Sequence, residues 1–269
     1  MSFDWPVIMS AAIGLSMAAG TVLAVEELFW MKRRGRLTRP ALREMAMSLS
    51  TLPPNIVVSV LAGGWWVAVY TVASELVPWR LPMNAITLLL AVLAGDFCYY
   101  WEHRCAHRFS PLWATYHAVH HSSSGYTVAT AYRVSFVNQF IAPAFYLPCI
   151  LLGMPPLLVV GLQIFSIHYQ AWVHTEMIGS LGVLDRVFNT PANHRMHHDA
   201  ESSRNAVNFG GILILWDRLF GTYARAREVR RYGLGDATPP GSILSVYTVP
   251  LRGVVQTCRE FARPARDRA

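Results

Sequence analysis

The chain has 269 residues, of which 53% are apolar and only 14% charged, against roughly 25% charged in soluble domains. The apolar residues lie in long blocks, which excludes an ordinary soluble domain and predicts an integral membrane protein. The formal net charge is +7 and the pI near 9.5, but the arginines flank apolar blocks, so anionic lipid is the expected partner and nucleic acid is not.

Residues 7–30 are almost entirely apolar up to Glu26 and Glu27, and no basic residue precedes them. A secretory signal needs a positive start and a short apolar core, so this segment reads as a retained transmembrane helix. Lys32-Arg33-Arg34-Gly35-Arg36, with Arg39 and Arg43, forms the densest basic loop. The positive-inside rule makes it cytoplasmic and puts the N-terminus outside. Pro40 then opens a segment with Leu42, Met45, Ala46 and Leu49 at helical spacing. It reads either as an interfacial helix, with Arg43 and Glu44 toward the headgroups, or as the first turns of the next span. Pro53-Pro54 breaks it.

Residues 55–74 are the second expected span and 84–101 the third, whose last turns carry Asp96, Tyr99, Tyr100 and Glu102. The polar stretch 103–133 is then cytoplasmic. Residues 134–153 read as a fourth span broken by Pro143 and Pro148, and 157–173 as a fifth; the two are either separate spans or a re-entrant hairpin. Beyond Thr175 the chain is polar enough to stay outside the bilayer. Its apolar run 210–223 is expected to pack under a site or dip into the interface. Pro239-Pro240-Gly241 marks a loop, and residues 251–263 form a weakly amphipathic piece suited to anionic lipid.

The expected fold is therefore an all-α integral membrane protein. About four to five membrane-embedded helices carry a cytoplasmic helical cap. Three regions follow: 1–83, the N-terminal transmembrane helices and basic loop; 84–225, a catalytic region; and 226–269, a basic cytoplasmic tail. One lysine among 23 basic residues fits a GC-rich bacterial genome, so the expected location is a bacterial inner membrane. Cys98, Cys105, Cys149 and Cys258 form no Cys-x-x-Cys pair and read as helix-packing residues.

All ten histidines lie between His103 and His198. Eight fall into three clusters, His103-x-x-x-His107, His117-x-x-His120-His121 and His194-x-x-His197-His198. Spacings of three and four place side chains on one helix face. Eight imidazoles are too many for one four-coordinate zinc and suit two metal ions with open positions. Hydropathy and arginine placement, read without the histidines, put all three clusters on one side of the membrane. His174, at the end of the fifth span on that side, is expected as a ninth ligand. His168, deeper in the same span, reads as a core histidine. Glu102, Glu176, Asp199 and Asn208 are expected to accept hydrogen bonds from metal-bound rings, and Asp185, Glu201 and Asn205 are nearby alternatives. Imidazole suits zinc, copper, iron and nickel alike. Attack on an unactivated C–H bond favours iron with dioxygen; hydrolysis of a lipid headgroup favours zinc, with Glu102 or Glu176 as general base. A metal or haem carrier is a third reading, weakened because the first two spans carry no ionisable residue in their middles.

The three clusters in this order resemble the fatty acid hydroxylase/sterol desaturase superfamily of membrane non-haem di-iron enzymes. Flanking motifs carry the same resemblance: Asp96-Phe97-Cys98-Tyr99-Tyr100-Trp101-Glu102-His103-Arg104, His120-His121-Ser122-Ser123, Asn208-Phe209-Gly210 and Leu215-Trp216-Asp217-Arg218-Leu219-Phe220-Gly221-Thr222. The stretches running from Tyr169 to Glu176 and from Asn189 to His198 are similar to the alkylglycerol monooxygenase branch, although Asn193 and Phe209 stand where histidine and tyrosine are common. The resemblance implies two iron ions and dioxygen as co-substrate. It also implies removal of hydrogen from a carbon of a fatty acyl chain, ether lipid, sterol or lipid headgroup, giving an alcohol or an alkene. No flavin, haem or iron–sulfur motif is visible. Electrons are therefore expected from a partner protein or a diffusible reductant, which the resemblance would make tetrahydrobiopterin.

Overall fold

The computed structural model describes residues 4–202, 207–235, 240–242, 244–246, 248, 252, 255, 258 and 259. Most of the expected amphipathic piece 251–263 and Pro239 of the Pro-Pro-Gly loop lie outside the described residues. The described part is helical, with two isolated β-bridges and no strand.

Among the described residues, three helices are long and apolar enough to cross a membrane. Helix α1, Trp5–Arg33, is 29 residues, about 43 Å at 1.5 Å per residue, against a hydrocarbon core of about 30 Å. Its start is set by Asp4, whose side chain accepts from Val7 N, and by Pro6 in the first turn. Helix α2, Arg39–Leu49, is capped by Thr38 and is followed almost without a break by α3, Leu52–Glu75. Helix α4, Ala85–Arg108, starts at Asn84 in a capping box with Thr87. The outward faces of α1, α3 and α4 carry exposed Leu15, Val60, Leu61 and Ile86, which only lipid would cover.

The fourth expected span is present as a broken one. Asn138–Ile141 (α6) and Leu147–Leu151 (α7) flank a 3₁₀ turn, Ala142–Tyr146, and short α5, Ala118–His121, precedes them in the chain. The break follows from Pro143 and Pro148, which cannot donate into a helix ladder. The carbonyl of Pro143 accepts from Tyr70 on α3 at 2.5 Å. The segment runs the length of α3: Asn55 donates to Val134 O at its first turns, Trp66 to Gln139 O midway, and Leu81 N to Gly153 O beyond its end. Its two ends therefore lie at opposite ends of α3, which favours a crossing over a re-entrant hairpin.

Helix α8, Pro156–Ala171, returns alongside α1. Met9 lies against Gly161 and Gly20 against Ala171, so the two helices run parallel. A Cβ at Gly161 would meet Met9 Cγ at 2.8 Å, so a larger residue there would have to displace the Met9 side chain. Tyr70, Cys98, Tyr146, Cys149 and Leu158 form the core between these helices. Cys98 and Cys149 face each other at 3.6 Å as packed thiols.

Candidate metal centre

The last turns of α4 extend past the apolar block and carry His103 and His107, both buried. After a single turn, Ser110–Leu112, the backbone widens into a π-turn, Trp113–His117. The sequence spacing predicts ordinary α-helix here. The wider turn brings both Tyr116 and His117 inward, and short helix α5 then presents His120 and His121. His174 follows the end of α8. Helix α9, Pro191–His197, presents His194 and His197, with His198 at its C-cap.

The nine rings separate into two sets. His103, His107, His117, His121 and His197 form one; His120, His174, His194 and His198 form the other; within each set, one ligand atom per residue lies within 4.8 Å of all others. Each HxxHH triplet is divided. His117 and His121 go to the five-membered set and His120 to the other; His194 and His198 go to the four-membered set and His197 to the five. The sets share a wall, because the rings of His121 and His198 stack at 4.3 Å and those of His194 and His197 at 5.0 Å.

Facing Nε2 atoms lie 3.0 Å apart in His103–His117 and His121–His197, 3.2 Å in His107–His197, 3.1 Å in His120–His174 and 3.0 Å in His174–His194. Three backbone carbonyls fix the tautomers. Nδ1 of His103 donates to Phe209 O, of His174 to Gln170 O and of His197 to Val207 O. The Nε2 atoms of these three neutral rings are therefore bare lone pairs. His197 Nε2 meets two other imidazoles and so does His174 Nε2, and one lone pair cannot satisfy both. His198 Nε2 is buried with no hydrogen-bond partner among the described residues. A cation between the nitrogens resolves all of this, so the residues fit a metal in each set. A metal–nitrogen bond of about 2.1 Å puts neighbouring nitrogens about 3.0 to 3.4 Å apart, the range in which these facing atoms lie.

Burial keeps the rings neutral. It pushes the pKa of His120 down to about 4. It holds His117, His121, His174, His194, His197 and His198 well below the usual imidazole range, with neighbouring imidazoles adding to the effect. Unfolded imidazoles take up protons below about pH 6.5 while the folded rings do not. The metal-free chain should therefore lose stability as pH falls from about 6.5 toward 4, by up to about 1.4 kcal/mol per pH unit for each ring that stays neutral. Thermal unfolding of chelator-treated protein between pH 7.5 and 5 checks this; a midpoint that does not move with pH contradicts it.

The ring partners that the structure displays for His103, His174 and His197 are carbonyls, whereas side-chain acceptors were expected. Glu102 instead accepts from Tyr116 Oη at 2.7 Å. Glu176 pairs with Arg36 at 2.6 Å and accepts from Tyr232 Oη. Asp199 pairs with Arg227 at 2.9 Å. Asn208, at a positive φ of 58°, donates to the carbonyls of Asn193 and Ala224. His168 is half-buried outside both sets and its Nδ1 contacts Ile164 O. Asn193, where histidine is common, donates to the carbonyls of Asp185 and Phe188.

Two carboxylates that the spacing argument passed over build the floor. Asp96 on α4 accepts from Ile212 N, Leu213 N and Trp216 Nε1. Asp217, on short helix α10 (Leu215–Leu219), accepts from Phe209 N, Gly210 N and Thr222 Oγ1, while burial pushes its pKa up to about 6. Together they hold the run 207–223 under the histidines, with the ring of Phe209 5.4 Å from that of His107. Two further polar residues close the sides. Arg133, fully buried, donates to Glu44, Ser48 and Ser122, so Glu44 turns inward and not toward the headgroups. Glu27 on α1 accepts from Thr175 Oγ1 and Val128 N. A carboxylate or guanidinium inside an apolar or histidine-rich stretch was the available signal for all four.

The family model described as fatty acid hydroxylase matches residues 88–222. The chain belongs to this family. That span contains all three clusters, His174 and both floor carboxylates. The chain is 43% identical over 172 residues to the alkylglycerol monooxygenase of Danio rerio, covering 64% of this chain and 37% of that protein. It is 41% identical over 157 residues to the Homo sapiens alkylglycerol monooxygenase, covering 58% and 34%. It is 29% identical over 205 residues to the ornithine lipid hydroxylase OlsE of Rhizobium tropici, covering 73% and 60%. The matched region thus spans about a third of the animal proteins' length. No solved structure matches the chain.

Proposed function

We propose that this chain is a membrane-bound, dioxygen-dependent lipid hydroxylase that uses two iron ions. His103, His107, His117, His121 and His197 would hold one ion, and His120, His174, His194 and His198 the other. The observation that carries the reading is the division of nine imidazoles, eight buried and His120 partly so, into adjoining sets of five and four. Six-coordinate ions would keep one position open in the first set and two in the second, as oxygen chemistry requires. When bound, the irons supply the redox chemistry that activates dioxygen against a C–H bond. The family membership and the lipid-acting names of the relatives support a lipid as substrate.

The protein's own contribution is positional. Carbonyls of Phe209, Gln170 and Val207 fix three rings with Nε2 inward. A cavity of about 100 Å³ reaches His117 of one set and His120 and His174 of the other. Its more exposed lining is mostly apolar, Ala131, Val134 and Ile167 beside Asn138, and suits an aliphatic chain entering from the bilayer. Electrons come from a partner protein or a diffusible reductant. The basic loop around Arg36 lies at the histidine end of α1, so the clusters and the tail would face the cytoplasm with the N-terminus outside, in a bacterial inner membrane.

A zinc-dependent hydrolase is disfavoured by five donors in one set, more than a tetrahedral zinc takes. Incubating lipid extracts with the purified, iron-loaded protein and a chemical reductant under ¹⁸O₂ tests the proposal. Lipid alcohols or cleavage products carrying ¹⁸O support it. Products formed without oxygen, or with oxygen from water only, overturn it.

A further inference from the structure

The cavity that reaches both histidine sets has a polar inner wall. Glu102 and Tyr116 line it beside His117, and both side chains are more than nine-tenths buried. Glu102 is an acid in the last turns of a membrane helix, one residue before His103, and such a group is costly there unless it is used. It neither pairs with a base nor supports a ring among the described contacts. Oε1 accepts from Tyr116 Oη at 2.7 Å, and the carboxyl makes no other hydrogen bond among the described residues. Glu102 keeps 5% of its surface exposed and lines the cavity. The π-turn is what swings Tyr116 inward to hold the first oxygen, and widened turns of this kind recur at functional sites. The result is a carboxylate held in place in a cavity whose more exposed lining is Ala131, Val134 and Ile167 with one polar residue, Asn138.

We propose that Glu102, oriented by Tyr116, selects the substrate. It accepts a hydrogen bond from a hydroxyl or ammonium group carried close to the carbon that lies between the histidine sets. A plain methylene chain at this place would leave a buried acceptor without a partner, which is the arrangement that discriminates most strongly. The cavity is too small for more than a headgroup fragment, so the aliphatic remainder leaves past Val134 and Ile167. The inference rests on the lipid hydroxylase reading for the identity of the reaction, and adds which lipids enter. Glu102 here recognises the substrate directly, and Tyr116 is the residue that positions it.

Calorimetric titration of the detergent-solubilised, metal-loaded protein tests it with three probes of matched chain length: 1-O-hexadecylglycerol, hexadecylamine and hexadecyl methyl ether. The wild type should bind the first or second about 10- to 100-fold tighter than the ether. Glu102→Leu should bring all three within about threefold while keeping both metal ions. Glu102→Gln separates the sources: a neutral amide keeps an acceptor for a hydroxyl but loses the attraction for an ammonium. Tyr116→Phe, which frees the carboxylate without removing it, should narrow the preference in the same direction. Equal binding of the three probes by the wild type overturns the proposal, as does a preference that survives in Glu102→Leu. Loss of metal in both Glu102→Leu and Tyr116→Phe also overturns it, because the pair would then support the histidines. Metal content and ¹⁸O incorporation on the same samples keep the two readings apart. Discrimination without a redox metal sinks the hydroxylase and leaves the selective pocket. Oxygenation without discrimination does the reverse.

Discussion

Replacing His197 by alanine will lower the metal content from about two ions per chain to about one and bring lipid oxygenation to background. His197 Nε2 is the point that His107 and His121 both face, at 3.2 and 3.0 Å. Its removal takes the central donor from the five-membered set and leaves the four-membered set with all its rings. Losing a group that merely orients a ligand costs about 10- to 100-fold in metal affinity or activity, so losing the ligand itself should exceed 100-fold. His174→Ala should do the same from the other side, leaving the ion of the five-membered set. Elemental analysis of purified variants, with activity measured in parallel, checks both. Loss of both ions in each variant would mean that the sets are one cluster. Retention of two would mean that the ring lies outside the ligand set.

Arg133→Met will destabilise the folded chain by about 3–5 kcal/mol, the usual result of removing one partner of a buried ion pair. The guanidinium is fully buried and lies 2.6 Å from Glu44 Oε1. It also donates to Ser48 on α2 and to Ser122, which directly follows His121. One side chain therefore ties α2 to the second histidine cluster. Without it, the Glu44 carboxylate keeps only Ser123 Oγ and Ser124 N. The double variant Arg133→Met, Glu44→Leu should recover much of the loss, since an apolar pair of similar volume avoids the stranded charge. Thermal unfolding in detergent measures all three. A double variant no more stable than Arg133→Met would show that the hydrogen bonds to the serines, not the ion pair, hold this corner.

The continuous spans were legible because length and hydropathy alone define them: α1, α3 and α4 lie where the apolar blocks lie. The broken fourth span was legible only as an ambiguity, since Pro143 and Pro148 disrupt a helix in a crossing and in a hairpin alike. What resolves it is tertiary, the run of contacts from Asn55 to Leu81 along α3. The nine histidines that the structure gathers are the nine that spacing and topology singled out. Their allocation was not legible. At 3.6 residues per turn, adjacent residues point about 100° apart, so His120 and His121 share a broad face and still reach different centres. The groups that hold His103, His174 and His197 were not legible for a related reason. A backbone carbonyl leaves no signature in a sequence, so the main-chain oxygens of Phe209, Gln170 and Val207 were not among the expected partners. Asp96 and Asp217 carried a sequence signal, as acids within apolar runs, but their task of receiving the backbone N–H groups of Phe209, Gly210, Ile212 and Leu213 depends on a fold that brings α4 and the run 207–223 together.

The most direct test is the metal itself: elemental analysis, with Mössbauer spectroscopy, of protein purified in detergent from cells grown on ⁵⁷Fe. The arrangement of five and four imidazoles predicts about two irons per chain in two unequal nitrogen-rich environments. A single ion per chain, or two zinc ions with no iron uptake, would contradict it.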